Sequence, residues 1–408
     1  MRKSINIIVV LVLAWVVMST LPSGKANQES GELPFKLFRA IIAEKSGENI
    51  LFSPDSLKTS LALLEMGAAG ETAKEIRALL GNEEKKTSKE GDQADALASR
   101  PNVTALTSLW LQKGAPILPE FLDKAKKRFD ADAQLLDFAG NVDEATQKIN
   151  AWVAEKTENR IPMLYDRLDS DSRLVAVSAV AFEDCWKTTF DKEETFAGEF
   201  TLLDGKKIKS DFMSQTGRFQ HKECNEALIL ELPYETAGYS MLILVPHNTT
   251  LAEMETKISA EKLAEWCGEL EEKEIEIQIP KFALESETEC NDILRTLGVN
   301  RAFSRDADFS RINGLQDLYL SDVKQRVFLR VDESGTEAAA ATGAVLKPKA
   351  MFKETKSFYA NRPFLFVIRH KETSDILFLG RIVDPQGETK QEETMIDPSL
   401  SGEGGSFN

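Results

Sequence analysis

The side chains that could do chemistry are few in this chain, and the least ordinary of them lie together near its C-terminal end. Histidine occurs only at His221, His247 and His370, and cysteine only at Cys185, Cys224, Cys267 and Cys290. No histidine stands at a spacing that would recruit a serine and an acid, or two further metal ligands. No GxSxG elbow, HExxH, P-loop or CxxC pair is present. Each histidine therefore reads as a surface or hydrogen-bonded structural residue, and neither a metal nor a cofactor is expected. A Ser-Lys or carboxylate pair that meets only in the fold leaves no local trace, but a hydrolase has no motif behind it.

The stretch that does not fit a passive core runs from 331 to 363. A strand-like run ends at Val331 and continues as Asp332-Glu333-Ser334-Gly335 and Thr336-Glu337-Ala338-Ala339-Ala340-Ala341-Thr342-Gly343. Ala344-Val345-Leu346-Lys347-Pro348-Lys349-Ala350-Met351-Phe352 follows, and the next convincing strand begins at Phe364. A connection this long inside a compact domain is generally functional or unstructured. Composition alone equally allows an alanine-rich helix over Thr336–Thr342.

The elements that must hold this stretch are helical first and extended later. Ser53-Pro54 supplies an N-cap and a proline at the first helical position, and Leu57, Leu61 and Leu64 then recur on one face. Ile149, Trp152 and Val153 form a second apolar helix face. Ile275, Ile277 and Ile279 alternate with Glu274, Glu276 and Gln278 as a half-buried strand. Leu228–Leu232 and Met241–Val245 flank a glycine-containing turn and predict a hairpin. Val327, Leu329 and Val331 alternate with Phe328 and Arg330, and Phe364–Ile368 with Ile376–Leu379 predict another strand pair. This order argues for an α+β protein.

At 408 residues, 42% hydrophobic and 28% charged, the chain has globular composition, which excludes collagen-like, repetitive and wholly disordered classes. Residues 1–26 place Arg2 and Lys3 before an apolar run from Ile5 to Met18 and end at Gly24-Lys25-Ala26, the order of a secretory signal peptide. An uncleaved anchor is the alternative, but the run falls short of the roughly 20 residues that span a bilayer. A secreted, extracellular protein is expected. Without that segment 47 basic residues face 66 acidic ones, and a surface this acidic repels phosphates, so neither nucleic acid nor membrane is an expected partner. Secretion permits disulfides, but four cysteines are no scaffold, and their three full pairings stay open. Two sequons, at Asn102 and Asn248, are candidate glycosylation sites, and Asn248 lies in the more loop-like setting. No linker or repeat divides residues 27–385, so one domain is expected. The polar gap Asn82–Asp95 reads as a solvated face or loop, and the acidic, Gly/Ser-rich 386–408 reads as a disordered tail.

A set of short motifs then falls in one recognisable order. It begins with Asn49-Ile50-Leu51-Phe52-Ser53-Pro54-Asp55-Ser56 and Met66-Gly67-Ala68-Ala69-Gly70-Glu71-Thr72. Ile149-Asn150-Ala151-Trp152-Val153 with Thr157 and Ile161, Phe182 and Trp186, and Phe212-Met213 with Gly217 and Phe219 follow. Leu232-Pro233-Tyr234, Ser240–Pro246, Glu333 to Thr342, and Asn361-Arg362-Pro363-Phe364-Leu365-Phe366 with Leu379-Gly380-Arg381 and Pro385 complete it. From about Leu33 to Pro385 the chain resembles the serpins, the serine protease inhibitors, of the inhibitory type. The resemblance implies three β-sheets, eight or nine helices and an exposed reactive-centre loop over about 333–358.

A serpin offers its loop as a substrate, is cleaved, and inserts the freed loop into its main sheet while the protease is still acyl-linked; such loop insertion is a known case of strand addition and of strain release. In an inserted strand Thr336, Ala338, Ala340 and Thr342 share one face, and Glu337, Ala339, Ala341 and Gly343 the other. The first set is small and uncharged, so the hinge (Glu333, Gly335, and Thr336 to Thr342) is compatible with burial. The family's spacing from Gly335 puts the reactive bond at Lys349-Ala350. Lys347 is followed by Pro348, which trypsin-like enzymes cut poorly, and Lys353 lies too far along. A lysine there suits a protease whose specificity pocket holds an acid. The implied activity is suicide inhibition of a trypsin-like serine protease through a covalent acyl complex by a monomer that is itself no enzyme. A non-inhibitory carrier or chaperone of the same fold is the alternative.

Two departures from the family pattern stand out. Serpins usually carry Asn where this chain has Ser178, and His where it has Gln325. In the family those side chains, with serines equivalent to Ser53 and Ser56, bond beneath the part of the sheet that opens. A Ser178–Gln325 bond replaces the usual one, or the sheet opens more readily. The basic cluster Lys124, Lys126, Lys127 and Arg128 reads as a solvated helix face flanked by Asp123 and Asp130, so no glycosaminoglycan partner is expected.

Overall fold

In the computed structural model the described residues are 31–81, 102–114, 116–336 and 356–387. Nine α-helices lie among them: α1 (Leu33–Glu44), α2 (Pro54–Gly67), α3 (Gly70–Leu80), α4 (Pro119–Phe129), α5 (Val142–Lys156), α6 (Leu251–Lys257), α7 (Ala260–Gly268), α8 (Asn291–Thr296) and α9 (Ser310–Asn313). The N-cap read from Ser53-Pro54 is present: the Ser53 side chain accepts from the Ser56 amide, and Leu57, Leu61 and Leu64 are buried. On α5, Asn141 caps the first turn, Ile149 and Val153 are buried, and Trp152 is half-buried edge-on to Trp110, with ring centroids 5.7 Å apart.

One sheet has six strands in the order β10 (Phe282–Glu289), β11 (Leu320–Val331), β12 (Gly335–Thr336), β4 (Leu174–Cys185), β2 (Asn102–Gln112) and β3 (Asp132–Leu136). The other has β1 (Ile50–Phe52), β15 (Ile376–Ile382), β14 (Phe364–His370), β8 (Tyr239–Pro246), β7 (Ala227–Pro233), β6 (Lys207–Glu223), β9 (Glu271–Pro280) and β13 (Lys356–Tyr359), with β5 (Phe196–Thr201) also on β6. The three sheets implied by the resemblance thus resolve as one six-stranded sheet and one nine-stranded sheet. The long β6 joins the latter's two limbs, pairing with β5 in its first part and with β7 only at Gln220–Glu223. Both expected hairpins form, β7 with β8 (Leu228 opposite Val245) and β14 with β15.

β4 explains why its sequence shows no alternation. Leu174 and Ala176 enter the core shared with α2, while Val175, Val177 and Ala179 face the core under α5. A strand covered on both faces reads as a continuous apolar run. β11 is covered in part: Val327, Leu329 and Val331 point to the core between the sheets and Phe328 to the core under α5, while Arg330 is exposed. On β9 the alternation survives, with Ile275, Ile277 and Ile279 fully buried. No helix of the described residues is long and apolar enough to cross a membrane.

Candidate functional site

The six-stranded sheet has a discontinuity at its centre. β11 and β4 run parallel and pair directly from Leu320 opposite Leu174 to Phe328 opposite Ala181. Beyond that point they part and β12 lies between them, with Thr336 opposite Val331 on one side and Asp184 on the other, and Gly335 opposite Cys185. Both of these pairings are antiparallel. Glycine is required here for space: a Cβ on Gly335 would overlap the Asp184 carbonyl oxygen and come within 2.7 Å of Cys185 Cα.

The turn from β11 into β12 is fixed from several directions. The Asp332 carboxylate accepts from the Ser334 amide at 2.8 Å, and the Asp332 amide donates to the Gly335 carbonyl at 3.0 Å. Trp186 donates its amide to the Ser334 carbonyl and its indole N–H to the Asp332 carbonyl, each at 2.9 Å. The Phe190 amide donates to the Glu333 carbonyl at 2.9 Å. Glu333 itself is buried, accepting from the Thr195 hydroxyl at 2.7 Å and paired with Lys281 Nζ at 3.0 Å. Burial pushes this carboxyl up, but the bonds from Thr195 and Lys281 outweigh it and hold Glu333 below the usual carboxylate range.

Thr336 is wholly buried, and its hydroxyl meets the Tyr234 hydroxyl at 2.7 Å. Tyr234 stacks on Trp186 at 4.7 Å and meets Phe182 edge-on at 5.0 Å. Burial raises the Tyr234 hydroxyl well above the ordinary tyrosine range, so it is a neutral hydroxyl at any physiological pH. Tyr234, Trp186 and Phe182 carry family motifs in the sequence; the contact of Tyr234 and Trp186 with the hinge, and that of Thr195 and Lys281, has no local signal there.

Where β11 and β4 pair directly, Gln325 of β11 sits opposite Ser178 of β4. The Gln325 amide accepts from the Ser53 N–H at 2.9 Å and donates to the Ser53 carbonyl at 3.0 Å and to Ser178 Oγ at 3.3 Å. Ser178 Oγ lies 2.7 Å from Ser56 Oγ. All four residues are buried. One amide, donor and acceptor together, thus ties both strands to the first turn of α2 with its own polar atoms satisfied.

Glu337, Ala338, Ala339, Ala340, Ala341, Thr342, Lys349 and Ala350 fall outside the described residues, as do the expected signal peptide and the tail beyond Gly387. On α4, Lys124, Lys126 and Lys127 pair with Glu120, Asp130 and Asp123 at 2.6, 2.5 and 2.9 Å. Asn248 is exposed in the turn before α6, whereas Asn102 opens β2 opposite Glu183. His247 and His370 bond the Cys224 carbonyl and the Thr373 hydroxyl, and the four cysteines are free thiols. Among the described residues no three metal-ligating side chains converge.

Residues 28–385 match the family model described as "Serpin (serine protease inhibitor)". Neuroserpin of Gallus gallus is 32% identical over 385 residues, covering 88% of this chain and 92% of that protein. The leukocyte elastase inhibitor of Bos taurus is 35% identical over 364 residues, covering 86% and 96%. Among solved structures, thyroxine-binding globulin in complex with thyroxine superposes with a TM-score of 0.79 at 25% identity, over 88% of this chain and 98% of that one. The α+β architecture, the gap occupied by β12 and the match over nearly the whole chain lead to one conclusion: the chain belongs to the serpin family, the serine protease inhibitors.

Proposed function

We propose that the protein is a secreted, monomeric suicide inhibitor of trypsin-like serine proteases that offers Lys349-Ala350 as bait. The protease serine oxygen attacks the Lys349 carbonyl carbon, an ester forms there, the bond to Ala350 breaks, and the new amine leaves with a proton. The freed segment then continues from Thr336 down the gap between β11 and β4. Residues 1–26 direct secretion, and Asn248 is the better placed of the two glycosylation sites.

One observation carries this reading: β12 already pairs on both sides, antiparallel to each neighbour, where the parallel β11–β4 ladder ends. Extending it exchanges one parallel ladder for two antiparallel ones, and antiparallel pairing is the more stable per residue. Continuing the register sets Ala338 opposite Phe182 and Leu329, Ala340 opposite Val180 and Val327, and Thr342 opposite Ser178 and Gln325. The small residues thus meet large buried ones, and the hydroxyl arrives where a polar pair has lost its partner.

The test incubates the mature protein with trypsin, then runs a denaturing gel and sequences the released C-terminal fragment. An SDS-stable complex and a fragment beginning at Ala350 are expected. Cleavage after Lys349 with no complex would overturn inhibition and favour the carrier reading.

A further inference from the structure

β13 is the far anchor of the segment that begins at β12, and it is a weak one. Among the described residues its four residues pair with β9 alone, in parallel, from Lys356 opposite Ile275 to Tyr359 opposite Gln278. Its one fully buried side chain is Phe358, whose ring stands edge-on to His221 with centroids 6.0 Å apart. His221, on β6, is 4% exposed, and its Nδ1 is buried without a hydrogen-bond partner among the described residues. A neutral imidazole tolerates that orphan; an imidazolium requires a new acceptor for it.

The surroundings disfavour that charge. β7 presents Leu230 opposite His221, and β9 presents Glu271 opposite it, with Lys273 next along the same face. β6 adds Lys222 and Glu223, Cys224 and His247 lie nearby, and β13 adds Lys356. Lys222, Lys273 and Lys356 are bridged to Glu269, Glu271 and Glu223 at 3.0, 2.8 and 3.7 Å, so the nearest carboxylates are already engaged. Burial first, and then Lys273 and Lys356, hold the imidazole below its ordinary value of 6.5, with Glu223 opposing them.

We propose that protonation of His221 releases β13 from the nine-stranded sheet, making the C-terminal anchor of the 337–355 segment acid-labile. Water reaches Nδ1 once Phe358 withdraws, so the released state takes up the proton that the attached state resists. The attached state is fully favoured above the ordinary imidazole value and loses that advantage as pH falls below about 6.5, by up to about tenfold per pH unit for one linked proton. Strand release itself needs no protease. Only its consequence, slack in the bait loop, rests on the inhibitory reading.

The experiment measures hydrogen exchange of the Lys356–Tyr359 amides in the full chain at pH 7.5 and 5.0, corrected for intrinsic rates, with β14 as internal reference. Protection of β13 relative to β14 is expected to fall about tenfold or more at pH 5.0. His221→Phe and His221→Gln are expected to abolish the fall, and His247→Gln and His370→Gln to keep it. A constant ratio in the unmodified protein, or an undiminished fall in both His221 variants, would overturn the proposal whatever trypsin does.

Discussion

The hydroxyls of Thr336 and Tyr234 lie 2.7 Å apart in full burial, which makes Tyr234 the residue that registers whether the hinge is in the sheet. Tyr234→Phe keeps the ring and its stack on Trp186 but leaves the Thr336 hydroxyl unpaired, at a cost of about 1–3 kcal/mol to the docked hinge. The expected outcome is a lower melting temperature and a red-shifted Trp186 emission, since the Trp186 indole bonds the Asp332 carbonyl. Unchanged emission and melting would mean that the hinge holds without this contact.

Glu333 gives the docked hinge an acid limit. Its carboxyl lies below the ordinary value of 4.5 when docked, so the stabilisation is complete above that value and is lost as pH falls through the docked-state value. Trp186 fluorescence is expected to stay constant from pH 8 to 5 and to shift below about 4.5. Glu333→Gln should flatten that low-pH step, and a step of undiminished size in the variant would refute the assignment.

The polar set beneath the gap makes a graded prediction. Gln325→Ala removes three hydrogen bonds and orphans the Ser53 amide, whose carbonyl keeps the Leu57 amide, whereas Ser178→Ala removes the links to Gln325 and Ser56 and orphans no backbone group. Both are expected to lower the melting temperature of the uncleaved protein, Gln325→Ala by more, with about 1–3 kcal/mol lost. Equal melting of both variants and the parent would show that this set does not hold β4 to β11.

Thr342→Glu probes the proposed strand addition without adding a basic residue for trypsin. In continued register that side chain must enter the core at Ser178 and Gln325, where an unpaired carboxylate is costly. Trypsin is expected to cleave the variant at the parent's rate while covalent complex falls at least tenfold and cleaved product accumulates. An unaltered yield of complex would exclude this register.

Much of the fold was legible because its signals are local: Ser53-Pro54 for α2, the isoleucine alternation of β9, the hairpin of β7 and β8. β4 gave no alternation, because its residues enter cores on both faces, and burial on both sides erases it. In the candidate site Ser178 and Gln325 could be singled out only against a family pattern; nothing in their neighbours shows that each faces the other. Thr195 and Lys281 left no trace, since they meet Glu333 across 138 and 52 intervening steps of chain and belong to a loop and a strand junction with other apparent purposes.

Gln325 also decides what the gap can sense. A histidine in that place would gain or lose its proton near neutrality and change from acceptor to donor as it did so. A carboxamide has no such transition, so the tie between β4, β11 and α2 keeps the same donors and acceptors in mildly acidic and neutral fluid alike. Opening at the centre of the molecule is then governed by heat and by what binds the strands, while sensitivity to acid is displaced to the residues that flank 337–355, Glu333 on one side and, by way of β13, His221 on the other.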